Sequence, residues 1–223
     1  MTRELKTGRR APQSGNAGSL VVFLHGYGAD GADLLGLAEP LAPHLADTVF
    51  LAPDAPEKCS GNPFGYQWFP IPWLDGSSEV EAGAGLARAR ADLHAFLDLM
   101  LEKEGVSPSN CVLVGFSQGT MMSLAVGPER ATPLGGIVGF SGRLLDRAAP
   151  ARAISKPPIL LVHGDEDPMV PASSMPEAEA ALTAAGFAVE THLSRGVGHG
   201  IAPDGLGKAL GFIHRVLGTS GQG

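Results

Sequence analysis

The 223-residue sequence predicts an α/β architecture: a mostly parallel, doubly wound sheet with helices on both faces. Three observations carry that expectation. Continuous apolar runs of strand length recur along the chain, as strands buried on both faces require. Longer stretches with helical spacing separate them, which implies right-handed crossovers between parallel strands. The length suits one domain with a sizeable core, spanning 1–223, and is short for two of ordinary size.

Residues 1–18 carry Arg3, Lys6, Arg9 and Arg10 and read as a partly ordered, solvated N-terminal segment. The first apolar run, Leu20–His25, is too short for a secretory h-region and reads as a strand. No run approaches the roughly 18 apolar residues of a membrane span. Helical spacing follows at 31–45, then a second strand at Val49–Ala52. Residues 53–78 break the rhythm with a long connection rich in Pro, Gly and aromatics. Five of the 13 aromatic residues, including both tryptophans, fall between Phe64 and Trp73. A connection this long inside a compact domain is usually functional.

The clearest helical pattern is 80–104, with Ala84, Ala87, Ala91, Leu97 and Leu101 near one face and Gly105 as its stop signal. Strands are expected at Cys111–Gly115, Gly136–Phe140 and Ile159–His163, and helices at 118–126, 176–185 and 204–217. The run Phe187–Leu193 alternates apolar and polar residues, so it is expected near an edge. No internal repeat stands out.

Composition narrows the function. Hydrophobic residues make up 44% and charged residues 17%, which excludes wholesale disorder. A net charge of −7 with no basic cluster beyond the N-terminal segment argues against nucleic acid as a partner. Cys59 and Cys111 read as free thiols in a chain that needs no disulfide, and a cytoplasmic location is expected.

Gly115-Phe116-Ser117-Gln118-Gly119 matches the pattern G-x-S-x-G. With 31 glycines and 15 serines, composition alone yields about 0.3 such matches, so the bare pattern is weak. Its context supplies the specificity. Cys111–Val114 reads as a strand and Thr120–Ala125 as a helix, so Ser117 occupies a sharp strand-to-helix turn. Small residues two before and two after the serine permit the close approach this turn needs. The free N–H groups of the helix start then point at the place where an oxyanion would form. A second near-match, Gly139-Phe140-Ser141-Gly142-Arg143, has Arg143 where glycine is needed and no clear helix start. Ser141 therefore reads as structural, near the floor of the site.

A serine hydroxyl needs a base within hydrogen-bond reach and a third group to orient that base. Of seven histidines, His44, His94 and His214 fall in helical stretches, His192 within a strand and His163 at a strand end. Only His199 stands in a loop after the last strand, between Gly198 and Gly200, where a chain ordered Ser…Asp…His places its base. The acid is expected after Ile159–His163, where Asp165, Glu166 and Asp167 offer three carboxylates. Pro168 biases Asp167 toward an extended conformation that reaches inward. Asp165, nearer the strand end, is the alternative, or bonds loop amides. After the first strand, the turn His25-Gly26-Tyr27-Gly28 is the expected source of one oxyanion amide, Tyr27 N–H, beside that of Gln118. His25 itself reads as a brace for that loop.

With these residues in view, the chain resembles the bacterial carboxylesterase branch of the phospholipase/carboxylesterase family, which also contains the acyl-protein thioesterases. The likeness runs from Leu24-His25-Gly26-Tyr27-Gly28-Ala29-Asp30 through Trp68-Phe69 and Gly115–Gly119. It continues through His163-Gly164-Asp165-Glu166-Asp167-Pro168-Met169-Val170-Pro171 to Gly198-His199-Gly200. The stretch Gly31-Ala32-Asp33-Leu34-Leu35 is similar to the bacterial branch rather than to the eukaryotic thioesterases. The resemblance implies an α/β-hydrolase fold, Asp167 as the acid, and an acyl pocket lined by Trp68 and Phe69 with Tyr66 beside them. It also suggests a homodimer.

The reading that follows is a carboxylic-ester hydrolase for small-molecule esters, working through an acyl-serine intermediate with no metal or organic cofactor. Thioesters or lysophospholipids with longer acyl chains are the alternative, and a non-catalytic binding module is a third reading that the intact Ser, His and Asp argue against. Only Leu144 to Pro157 lie between the fourth crossover region and the strand before the acid, which leaves no room for a cap. An open cleft with the 53–78 loop as its apolar wall is therefore expected, favouring short to medium acyl chains.

Overall fold

The computed structural model describes residues 2–59 and 62–218, so positions 60 and 61 of the aromatic loop lie outside the described residues. Along the chain come β1 (Thr7–Arg10), β2 (Ser19–Leu24), α1 (Gly31–Leu35), α2 (Ala38–Leu41) and β3 (Thr48–Pro53). The short elements β4 (Glu57–Lys58), β5 (Tyr66–Gln67) and α3 (Pro72–Asp75) follow. Next are α4 (Glu79–Glu104), β6 (Cys111–Phe116), α5 (Gln118–Val126) and β7 (Gly136–Phe140). Last come β8 (Ile159–Gly164), α6 (Ser174–Ala184), β9 (Val189–Ser194) and α7 (Pro203–Leu217).

Seven strands form one sheet in the order β1-β3-β2-β6-β7-β8-β9. Every neighbouring pair is parallel except β1 with β3. The sheet is buried on both faces. In β2, Leu20, Val22 and Leu24 join a core layer with α4 and α5, while Val21 and Phe23 face a second layer with α1 and α7. That two-sided burial is why the central strands read as continuous apolar runs. The edge strand β9 is only half covered, as expected near an edge, but against its alternation Leu193 is exposed while Ser194 is buried. Between β7 and β8 the chain makes a single 3-10 turn, Ala149–Arg152, and no cap.

Four expectations need correction. The N-terminal segment is not a solvated tail. It supplies β1, buries Leu5, and pairs Arg3 with Asp92 and Glu57, Arg9 with Glu104 and Arg10 with Glu39. These acids come from distant elements, so the local sequence shows only the unpaired cations.

The single helix expected over 31–45 is broken into α1, α2 and a 3-10 turn. Pro40 and Pro43 lack the N–H groups a continuous helix needs. The 53–78 connection carries β4, β5 and α3, pieces too short for a periodic signal.

In α4 the ends are as expected: a Ser78–Glu81 capping box opens it and left-handed Gly105 closes it. Its buried face is different. Gly85, Ala89, Leu93, Phe96, Leu97, Met100 and Leu101 face inward, while Ala84, Ala87 and Ala91 are exposed. Alanines carry little hydrophobic contrast, and the larger side chains of the second half set the stripe.

Candidate active site

Strand β6 ends against helix α5 in a turn of one residue. Ser117 occupies it at φ 53°, ψ −112°, a left-handed conformation unfavourable for a side chain with a Cβ. The surroundings hold it there. Its N–H donates to Phe140 O at 2.8 Å, anchoring the turn to β7. A Cβ on Gly119 would lie 1.8 Å from Leu24 O, and one on Gly115 would lie 2.4 Å from the Gly119 backbone. Both flanking glycines are thus required by backbone contact, and α5 starts directly against β2.

The late loop after β9 brings His199 to this turn. Its Nε2 lies 3.0 Å from Ser117 Oγ, and its Nδ1 lies 2.7 Å from Asp167 Oδ2. The Phe116 ring, with its centroid 4.9 Å from that of the imidazole, backs the histidine from the side. The Asp167 side chain is fully buried. Its Oδ1 accepts the N–H groups of Met169 at 2.8 Å and Val170 at 2.9 Å. Burial pushes this carboxyl upward, but the Val170 N–H, His199 and the Met169 N–H together hold it below the usual carboxylate range. An ionised Asp167 only accepts, so Nδ1 of His199 carries the proton and Nε2 presents its lone pair to Ser117. That arrangement can draw a proton from the hydroxyl as it attacks.

Asp165 does something else: it accepts the Gly196 N–H at 2.6 Å and so ties down the loop that carries His199. His163, buried beneath the acid, places Nε2 3.0 Å from Val170 O and 3.3 Å from Asp167 Oδ2. Sequence reasoning passed over His163 as a strand-end residue. Its signal was its spacing, four residues before Asp167.

The loop after β2 lies against Ser117. A Cβ on Gly26 would come within 3.3 Å of Ser117 Cβ, so the Gly26–Tyr27 peptide sits directly beside the serine. His25 braces this loop, as expected. Its Nε2 accepts the Ala55 N–H at 2.9 Å and its Nδ1 donates to Gly26 O at 2.7 Å. Burial lowers its pKa and keeps the ring neutral, which suits that bonding. Ser141, the serine of the near-match, is also left-handed at φ 47° and buried. It ends β7 beside the site with its N–H bonded to Val162 O.

The aromatic loop is placed differently from the expectation. Trp68 is fully buried, with its indole N–H donating to His25 O at 3.0 Å, so it underlies the site without facing the cleft. Tyr66 laces the His25–Asp30 loop through its backbone, and Lys58 Nζ lies 3.6 Å from the centre of its ring. Phe69 is buried and lines a neighbouring cavity. The cleft at Ser117 and His199, about 150 Å³, is instead walled by Ile71, Trp73, Leu74, Met121, Met169 and Val170. Clustering of aromatics marks the loop but does not tell which ring turns inward.

Both cysteines are free and buried, and burial pushes the Cys111 thiol up to about 12, well above reactive range. Among the described residues, no group of three His, Cys, Asp or Glu side chains is placed to hold a metal ion. Among them also, no helix is long and apolar enough to cross a membrane.

Comparison with known proteins places the chain in a family. Residues 11–217 match the family described as Phospholipase/Carboxylesterase. The chain is 28% identical to Esterase YpfH of Escherichia coli strain K12, over 90% of this chain and 84% of that protein. It is 29% identical to Acyl-protein thioesterase 1 of Gibberella zeae, over 96% of this chain and 98% of that protein. Among solved structures it superposes on esterase PE8 with a TM-score of 0.91 and 42% identity, covering 96% of this chain and 100% of that one. The sheet order, the serine turn and these matches agree: the chain belongs to the phospholipase/carboxylesterase family of carboxylic-ester hydrolases, on the α/β-hydrolase fold.

Proposed function

We propose that the protein is a serine carboxylesterase that hydrolyses short- to medium-chain esters through an acyl-serine intermediate. The observation that carries this reading is the bonded series Ser117–His199–Asp167, at 3.0 and 2.7 Å, around a strained serine. Ser117 Oγ attacks the ester carbonyl while His199 Nε2 takes its proton. The carbonyl oxygen gains the negative charge, beside the backbone N–H groups of Tyr27 and Gln118. Collapse of that intermediate breaks the acyl C–O bond, and His199 returns the proton to the leaving alcohol. Water then repeats the sequence, giving its proton to His199 and releasing the acid and the serine. Asp167 stays ionised throughout and fixes the imidazole.

The small cleft supports the chain-length preference, since each methylene beyond its walls forgoes roughly 0.8 kcal/mol of burial. With no cap to move, the rate should rise hyperbolically with a soluble ester and show no jump at its solubility limit. One observation favours longer acyl groups: the cleft shares Ile71, Trp73 and Met121 with a second cavity of about 250 Å³. Initial rates on matched oxygen esters and thioesters of increasing acyl length decide between them. A maximum on short or medium oxygen esters is expected. A steady rise toward long chains, or a preference for the thioester, would overturn the reading.

A further inference from the structure

We propose that Arg143 makes this an esterase for acyl groups that end in a carboxylate, that is, half-esters of dicarboxylic acids. This rests on the acyl-serine reading above. His199 must protonate the departing alcohol, so the alcohol arm lies on the side of His199, Met169 and Val170. The acyl arm runs the other way, over Ile71, Trp73 and Met121. Those three residues continue into the second cavity, whose lining contains Arg143 and none of His199, Met169 or Val170.

Arg143 is set apart from the other arginines. Arg3, Arg9, Arg10, Arg88, Arg90, Arg130, Arg147, Arg152 and Arg215 all sit in ion pairs with carboxylates. Among the described residues, Arg143 and the exposed Arg195 have no such carboxylate partner. The guanidinium of Arg143 instead lies over the Trp73 ring, 5.1 Å from its centroid, on the wall shared by both cavities.

The backbone that delivers it is held firmly. Ser141 is left-handed and bonded to Val162 O, and a Cβ on Gly142 would lie 2.4 Å from Thr120 Cβ. Glu79 lines the same cavity but is exposed and makes no ion pair with Arg143. A neutral acyl chain filling the groove would strip water from this cation without replacing it. A terminal carboxylate would supply a charge-assisted, two-point partner.

The test compares kcat/KM for the p-nitrophenyl half-esters of adipic, suberic and sebacic acids with their ω-methyl esters, corrected for spontaneous hydrolysis. The wild type should favour the free carboxylate by about fivefold or more at one of these lengths, and added salt should shrink the ratio. Arg143→Gln should bring the ratio to one or below, with folding checked by its thermal transition. Arg147→Gln removes the same charge from an exposed site paired with Glu177 and should leave the ratio unchanged. A wild-type ratio of one or less at every length, or an unchanged ratio in Arg143→Gln, overturns the assignment. Ser117→Ala in parallel separates the two claims: turnover surviving there would sink the acyl-serine reading instead.

Discussion

Gln118 and Trp68 are joined by a buried hydrogen bond, 2.8 Å from the Trp68 backbone N–H to Gln118 Oε1. The amide nitrogen of the same side chain donates to Phe69 O, also at 2.8 Å. The residue next to Ser117 therefore holds the backbone of the aromatic loop, and the Trp68 indole in turn holds the loop of His25. The serine turn and two loops around it form one hydrogen-bonded unit.

Gln118→Leu tests that unit. It leaves a buried N–H and a buried carbonyl without partners, each costing about 1–3 kcal/mol, so a total loss of about 2–6 kcal/mol is expected from urea denaturation. A loss below about 0.5 kcal/mol would show that the loop is held by other contacts.

Trp68 and Trp73 should separate stability from substrate binding. Trp68→Ala empties a fully buried site and should cost about 3–5 kcal/mol of stability. Trp73, 65% exposed on the cleft wall, should change stability little when replaced by Ala, yet raise KM more for a longer acyl ester than for acetate. A chain-length-independent KM in Trp73→Ala would place the acyl wall elsewhere.

Asp167→Asn should cost far more activity than Asp165→Asn, because only Asp167 touches the imidazole. The same variant carries a pH signature. Folding lowers the Asp167 pKa, so its contribution to stability is complete above the unfolded-state value and is lost as pH falls through the folded one. The stability gap between wild type and Asp167→Asn should be constant near neutrality and narrow in acid. A gap that widens in acid would contradict the sign.

His163 donates through Nε2, because Val170 O can only accept. His163→Phe removes that donor from beside a buried carboxylate and should lower stability by about 1–3 kcal/mol. His163→Gln, whose amide N–H can reach the same space, should recover most of the loss and shift the acid limb of the pH–rate profile less. Equal behaviour of the two variants would assign His163 to packing alone.

Much of this was legible in the sequence because the informative contacts are local or periodic. The central strands are apolar on both faces, and the Ser117 turn is written in glycines that the backbone of β2 and α5 leaves no room to replace. What could not be read depends on distant partners. The basic residues of β1 meet acids from distant elements, Gln118 meets a backbone 50 residues away, and Trp68 turns inward only because His25 O waits for its indole. The buried face of α4 was misread for a related reason: alanine spacing says little until the opposing layer is known.

The most direct test of the central claim is covalent labelling of Ser117 with a fluorophosphonate, followed by peptide mapping and the rate of Ser117→Ala on a short p-nitrophenyl ester. The account predicts one label per chain, on Ser117, and a fall in kcat of about 10⁴- to 10⁶-fold in the alanine variant. Labelling at Ser141, or esterase activity that survives in Ser117→Ala, would contradict it.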